Sequence, residues 1–274
     1  MSGMRSTLAQ PEGTRAVSVV MPVLNGLTWI ADAIASVMDQ EGVDGELIVL
    51  DGGSTDGTRE WLETHAPAPI QVVLGRDRGQ ADAIAKGLDM AHGSILGWLN
   101  ADDLLQPGAL KTVLAAFSEH PDAALVSGAC WVIDGRGDVS GRIDPPPEGT
   151  LHGLLRYPRN LAQPATFFSA AAYRRTAGID TRLRYAMDVD LWLKLAHVGE
   201  VVLLRDQVLA SFRIHEASKS AQEDPAQVRE DLKVRLRQGM PILSEASVTL
   251  MRWSYLRPIG RSLRRLQRGF RSTR

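Results

Sequence analysis

Four short, almost wholly apolar runs constrain this chain more than any other feature. Val17–Leu24, Glu46–Leu50, Ile70–Leu74 and Ile95–Leu99 are each short for a helix, and their β-branched content reads as strands buried on both faces. Between them, Trp29–Met38 carries Ile30, Ala33, Ile34, Val37 and Met38 at helical spacing. A helix bearing Trp61 and Leu62 follows the second run, and Ala81–Ala91 reads as a third helix. Strand and helix alternating through short connections predict βαβ units and a mainly parallel sheet, an α/β fold. Val126–Val132 adds a later strand whose Cys130, the only cysteine, is expected as a buried structural thiol. Trp98, inside a strand, is expected in the core.

In open α/β sheets ligands bind outside the carboxyl ends of the strands. There this chain gathers its acids. Ile95–Leu99 runs straight into Asn100-Ala101-Asp102-Asp103. Neighbouring carboxylates repel unless a cation lies between them, and hard oxygen ligands suit Mg²⁺ or Mn²⁺. The other reading is a loop with Asp at a helix N-cap, since Gln106-Pro107-Gly108 follows. The loop Asp51-Gly52-Gly53-Ser54-Thr55-Asp56-Gly57-Thr58 is Gly-rich, yet it lacks the Gly-Lys-Ser/Thr ending of a phosphate loop and the GxGxxG pattern. Its acids would repel a phosphate. Asp51 is expected to accept hydrogen bonds from a base or ribose, while Asp56-Gly57-Thr58 reads as an Asx-type turn. Arg76, Asp77 and Asp82 follow the third strand and face the same cleft, each with the alternative of being an exposed loop charge.

A net charge of −1 gives no footprint for nucleic acid. No apolar run reaches 18 residues and no stretch reads as a cleavable signal peptide. The single cysteine fits a reducing compartment, so a cytoplasmic protein is expected. From Leu256, apolar residues recur at three and four with arginines between them. That tail fits an amphipathic helix on an anionic membrane surface at the inner face, a helix docked on the main domain, or a solvated arm.

Val19-Val20-Met21-Pro22, Leu50-Asp51-Gly52-Gly53-Ser54-Thr55-Asp56-Gly57-Thr58 and Asn100-Ala101-Asp102-Asp103 resemble the landmarks of family 2 glycosyltransferases. The resemblance continues through Gln163-Pro164-Ala165-Thr166-Phe167-Phe168 and Met187-Asp188-Val189-Asp190-Leu191-Trp192 to Arg213-Ile214-His215. It implies the GT-A nucleotide-diphospho-sugar transferase fold over 16–220, after a lead-in at 1–15 and before a helical extension at 221–274. It also implies an inverting, metal-dependent transfer, with Mn²⁺ or Mg²⁺ held by Asp102, Asp103 and His215. Pro22, Val23, Asn25, Asp51, Arg76, Asp77, Asp82, Asn100 and Ala101 are the implied nucleotide-sugar contacts. Arg213, Ser218 and Lys219 suit the diphosphate. Asp188 is the implied base, with Asp190 as its alternative. Four positions depart from the family pattern: Val23 replaces an aromatic residue, Leu50 replaces the first of two acids, Asn100 takes the first place of the usual Asp-x-Asp, and the usual Glu-Asp pair appears as Met187-Asp188. The implied donor carries UDP, or else GDP or dTDP, and the implied acceptor is a glycan or a lipid-linked sugar in cell-surface polysaccharide or glycolipid assembly. A sugar nucleotidyltransferase would need a Gly-rich, Arg-containing loop after the first strand, which Pro22-Val23-Leu24-Asn25 is not. A non-catalytic nucleotide-sugar-binding protein is the remaining alternative.

Overall fold

The computed structural model describes residues 16–242 apart from 68, 158–160, 217 and 219–223, together with 244 and 247–249. The lead-in at 1–15, Lys219 and the basic tail from Leu256 lie outside the described residues.

The four apolar runs form β1 (Val17–Val23), β2 (Gly45–Asp51), β3 (Gln71–Leu74) and β4 (Ile95–Trp98). Helices α1 (Ile30–Met38), α2 (Thr58–His65) and α3 (Gln80–Met90) connect them. These strands lie side by side in the order β3-β2-β1-β4, and each pair is parallel. Alternation along β1 explains why both faces are covered. Val17, Val19, Met21 and Val23 enter one apolar core with Ile30, Ile34, Leu47 and Val49, while Val20 enters the other with Ile48, Ile84 and Leu96. Each such fully buried aliphatic side chain contributes about 1.5–3 kcal/mol. Helix α3 sits so close to the sheet that a Cβ on Gly87 would lie 2.4 Å from Val20 and 2.7 Å from Leu50, so only glycine fits.

Beyond β4 the sheet ceases to be parallel. After β5 (Leu104–Leu105) and α4 (Ala109–Glu119) come the long β6 (Ala123–Ile133) and β7 (Val139–Ile143). Helix α5 (Leu151–Arg156), a 3-10 turn at Gln163–Ala165, β8 (Thr166–Ser169) and α6 (Ala170–Arg174) follow, then α7 (Met187–Ala196), β9 (Glu200–Arg213) and α8 (Pro225–Arg237). β8 inserts antiparallel between β4 and β6, β9 runs parallel to β6, and β5 closes the edge antiparallel to β9. The expectation of a mainly parallel sheet therefore holds for the first four strands, and the whole sheet is mixed. The cause is local. The 3-10 turn delivers Thr166-Phe167-Phe168-Ser169 into the gap from the opposite direction, where Phe168 packs against Trp98 and Trp192. Trp98 also stacks on Trp192 at 5.1 Å, as a core residue should.

Helix α8 falls in the stretch expected as an extension, and it packs Leu232 and Val234 into the same core as α7. Its fully buried Arg235 pairs with Asp231 at 2.8 Å and donates to the Leu154 and Tyr157 carbonyls. Among the described residues no helix is long and apolar enough to cross a membrane.

Candidate functional site

The loops leaving β1 and β2 are tied together by carboxylates and backbone amides. Asn25, at a φ of 56°, donates its N–H to Ser54 Oγ and accepts the Thr55 N–H on Oδ1, at 2.8 Å each. Asp56 accepts the Leu27 and Thr58 N–H groups, and Gly57 takes the left-handed conformation that lets α2 begin. Burial raises the Asp56 carboxyl, but the Thr58 hydroxyl and these amides together outweigh it and hold the group below the usual carboxylate range. The Asx-type turn at Asp56-Gly57-Thr58 is therefore present. Asp51 does not stand open to a ligand as expected. It is 1% exposed and accepts the Gly53 and Ser54 N–H groups. Pro22 and Val23 are buried in β1, so Val23 points into the core rather than over a base.

The chain reaches the acidic turn at the end of β4, and here the two neighbouring acids part. Asp103 is fully buried. It accepts the Arg213 N–H at 2.9 Å and the Asn100 side-chain amide at 3.0 Å. Burial and the adjacent Asp102 push its carboxyl well above the usual range. The expectation that Asp103 flanks a cation with Asp102 fails on this geometry, because consecutive side chains in the turn leave in different directions and only Asp102 faces out. Arg213 is buried as well. Its Nε donates to the Asp102 carbonyl and one Nη to the Asp134 carbonyl, so the guanidinium clamps the turn. It does not stand free for a phosphate. Ala101, likewise buried, packs in the core beneath the turn.

Two residues past β9, His215 places Nε2 3.0 Å from Asp102 Oδ2, across 113 positions of sequence. The two side chains are 14% and 29% exposed. Ser218 Oγ donates to the His215 carbonyl and so folds the loop back on itself. The Trp29 ring packs on the imidazole, centroids 4.1 Å apart, and the Arg213 guanidinium lies 5.9 Å from the indole centroid.

A row of amides extends from the acidic turn. Gln80 donates to Asn100 Oδ1 at 2.7 Å, Asn100 donates to Gln163 Oε1, and Gln163 donates to the Trp98 carbonyl. Gln80 also lines a cleft of about 290 Å³ whose far wall includes Met187, the first residue of α7. Asp188 comes next. Its Oδ1 accepts the Val189 N–H, and burial, reinforced by the nearby Asp231, pushes its carboxyl up to about 6. Asp190 lies buried on another side of α7, 2.6 Å from Lys194 Nζ and within reach of Gln238. Asp77 accepts the Gly79 N–H and lies close over Gly52, and Arg76 is exposed. Asp82 is buried and shared between Arg78 and Lys86, which hold its carboxyl well below the usual range. Cys130 is buried, and burial pushes its thiol far up, as a structural cysteine requires.

Trp29 and Gln80 carry no motif signal of their own, and the sequence pattern passes over both. Trp29 caps the start of α1 and Gln80 opens α3; the partners that matter to them lie more than 180 positions and 20 positions away respectively.

The chain, with a sheet parallel through its first four strands and mixed beyond, has the GT-A fold of glycosyltransferases. Two solved structures share it. TarS of S. aureus, residues 1–349 in complex with UDP-GlcNAc, superimposes with a TM-score of 0.63 at 17% identity over 87% of this chain and 70% of its own. Mannosyltransferase PcManGT from Pyrobaculum calidifontis, in complex with GDP-Man and Mn²⁺, gives 0.64 at 20% identity over 89% and 70%. The sequence profile of Glycosyl transferase family 2 matches residues 18–177, and the chain belongs to that family. It is 30% identical over 177 residues to a PGL/p-HBAD biosynthesis glycosyltransferase of Mycobacterium tuberculosis, covering 63% of this chain and 66% of the relative. It is 28% identical over 185 residues to chondroitin synthase of Escherichia coli, where the match covers 67% of this chain and 27% of the larger protein.

Proposed function

We propose that the protein transfers a sugar, with inversion, from a nucleotide-diphospho-sugar to an acceptor hydroxyl, and that Asp102 and His215 hold the divalent cation this reaction uses. The carrying observation is their 3.0 Å separation. Adjacent ligands of an octahedral cation at ~2.1 Å lie ~3.0 Å apart, so the pair fits Mg²⁺ or Mn²⁺ with a neutral imidazole. Among the described residues no three His, Cys, Asp or Glu side chains cluster to hold a metal. A pair that leaves positions to phosphate oxygens and water is how such cations bind in phosphate sites. When bound, the cation neutralises charge on the departing diphosphate. The named ligands of the solved neighbours, UDP-GlcNAc and GDP-Man, support a nucleotide-sugar donor, with UDP the first base to test and GDP and dTDP next.

The chain's own residues perform the rest. Arg213 and Asp103 fix the turn so that Asp102 faces outward. Asn100, held by Gln80 and Gln163, presents a rigid polar edge toward the donor. Asp188 accepts the proton of the acceptor hydroxyl as that oxygen bonds to the anomeric carbon. The anomeric C–O bond to the diphosphate breaks, and its electron pair leaves with the nucleoside diphosphate. A carboxyl raised to about 6 is a better base than an ordinary aspartate and is still ionised at neutral pH. Asp190, neutralised by Lys194, is poorly suited to the role. Lys219 is retained as a phosphate partner, and the tail from Leu256 as an anchor at the inner membrane face, where a lipid-linked or glycan acceptor in cell-surface assembly would be met.

Calorimetric titration with UDP, GDP and dTDP, with and without Mn²⁺, tests this reading. One nucleotide should bind in a metal-dependent manner and lose that dependence in Asp102→Ala. Absence of binding by all three to the folded protein with Mn²⁺ present would sink it.

A further inference from the structure

We infer that the cleft beside Asp188 binds an acceptor carrying an anionic group, a phosphate or carboxylate, close to the hydroxyl that is glycosylated. The inference deepens the transferase reading above and rests on it for the word acceptor. Arg78, Gln80, Thr181, Arg182, Arg184 and Met187 line the cleft, and among the described residues lining it none is acidic. Its three guanidiniums come from two separated loops, one after β3 and one before α7. No single helix or turn explains their meeting.

The acids that accompany these arginines lie behind them. Arg78 is 80% exposed and its partner Asp82 only 4%; Arg182 is 84% exposed and its partner Asp180 only 11%. Each of these carboxylates also serves a second cation, Asp82 with Lys86 at 2.8 Å and Asp180 with Arg237 at 3.8 Å. Two carboxylates thus face four cations, and the surface shown to solvent is guanidinium. Arg184 adds a fifth cation, lying 5.2 Å from the Tyr185 ring centroid. The other acids nearby are turned to backbone or hydroxyl donors. Glu230 accepts the N–H groups of 184–186, Asp224 accepts the Tyr185 hydroxyl and the Ala226 N–H, and Asp77 accepts the Gly79 N–H. Arg78 and Arg182 each spend Nε and one Nη on these acids, and what they leave toward the cleft is the outer part of an exposed guanidinium. Exposed guanidiniums around a cleft with no acid in its described lining are suited to phosphate and carboxylate.

The position of the cleft assigns it to the acceptor. Gln80 ties it to Asn100 at the acidic turn, and Met187, which lines it, is the residue before Asp188 in α7. The donor's diphosphate belongs at Asp102 and His215, so a second anionic site beside the base serves the other substrate.

The test uses the full chain and three probes: glucose 6-phosphate, glucuronate and glucose. Each is titrated by NMR or calorimetry, with and without saturating nucleotide and Mn²⁺. One or both anionic probes should bind at least ten-fold more tightly than glucose, weaken as salt rises, and bind undiminished when the nucleotide is present. The double variant Arg182→Gln/Arg184→Gln, altered only at exposed side chains, should lose at least ten-fold of that affinity while nucleotide affinity stays within two-fold. A preference for phosphate over carboxylate, or the reverse, names the acceptor's group. Equal binding of glucose and both anions, or full affinity in the double variant, overturns the inference. Displacement of the anion by nucleotide with Mn²⁺ also overturns it, assigning the arginines to the donor. Anion binding in a protein that binds no nucleotide would instead remove the transferase reading and leave an anion-binding cleft.

Discussion

The sheet edge at β1 and β2 and the edge at β4 and β9 carry acids of the same kind at the same structural position, yet they present them oppositely. At the first edge Asp51 accepts two backbone N–H groups of its own loop, and Asp56 accepts one from its own loop and one from the loop after β1. At the second, Asp103 is consumed in the same way, while the Asp102 carboxylate meets, among the described residues, the imidazole of His215. An acid after a strand is thus equally suited to building a turn or holding a ligand, and the number of amides aimed at it decides which. The first edge is a rigid frame. The second leaves one carboxylate, Asp102, facing out beside an imidazole.

The sharpest way to break the contrast lies at the proposed base, Asp188. Asp188→Asn should lower kcat by about 10³, within the usual span for losing a positioned base, and leave nucleotide affinity within about two-fold. In the unaltered protein the rate should rise with pH through a half-point near 6, because the carboxylate and not the acid accepts the proton. The variant should lose that limb. The same shift acts on stability with the opposite slope. A carboxyl raised in the folded state favours folding below its unfolded value, and that contribution fades as pH climbs through about 6. Asp188→Asn should therefore unfold at a higher temperature than the parent at pH 8 and gain less at pH 4. A flat pH–rate profile with full activity in the variant would remove Asp188 from the chemistry and reopen Asp190.

At the frame edge the expected losses are of folding. Asp51→Ala leaves the Gly53 and Ser54 amides without their acceptor in a buried loop, which should cost about 2 kcal/mol. For a chain of this size that lowers Tm by roughly 5 °C. Calorimetry reads it directly. Unchanged Tm with a large loss of nucleotide affinity would show that Asp51 is a ligand contact after all and would erase the distinction between the edges.

Much of this was legible beforehand, for reasons that differ by region. The parallel half could be read because β-branched runs and helical spacing are local signals: Val17–Val23, Gly45–Asp51, Gln71–Leu74 and Ile95–Trp98 lie within a residue or two of their expected bounds. The antiparallel insertion of β8 was not legible, since strand direction depends on where a chain returns and Thr166–Ser169 carries no mark of it. The motif positions Asp102 and His215 were legible only through family resemblance; nothing in the sequence between them, 113 positions apart, says that they meet. Asp103 was misplaced because adjacent acids look identical in sequence, while the Arg213 amide that claims one of them arrives from β9. Trp29 and Gln80 had no signal at all, being ordinary residues made important by their distant neighbours.

Trp29 offers the finest test of the comparison, because it starts from the frame edge and acts on the site edge. Its ring packs on His215 and beneath Arg213, and its Nε1 points at the Gly135 carbonyl at 3.5 Å. An imidazole held on one face by an indole has fewer rotamers to lose when Nε2 takes up a cation. Residues that orient a ligand in this way are typically worth ~10- to 100-fold in metal affinity when the contact is lost. Trp29→Leu keeps the apolar fill but not the flat face, so Mn²⁺ affinity measured by electron paramagnetic resonance should fall about ten-fold, at the lower end of that span. Trp29→Phe should recover most of it. Stability should change little in the Phe variant, which separates loss of orientation from loss of packing. Equal Mn²⁺ affinity in all three proteins would mean that Asp102 and the clamp of Arg213 suffice to set the site, and that the two edges of the sheet act independently.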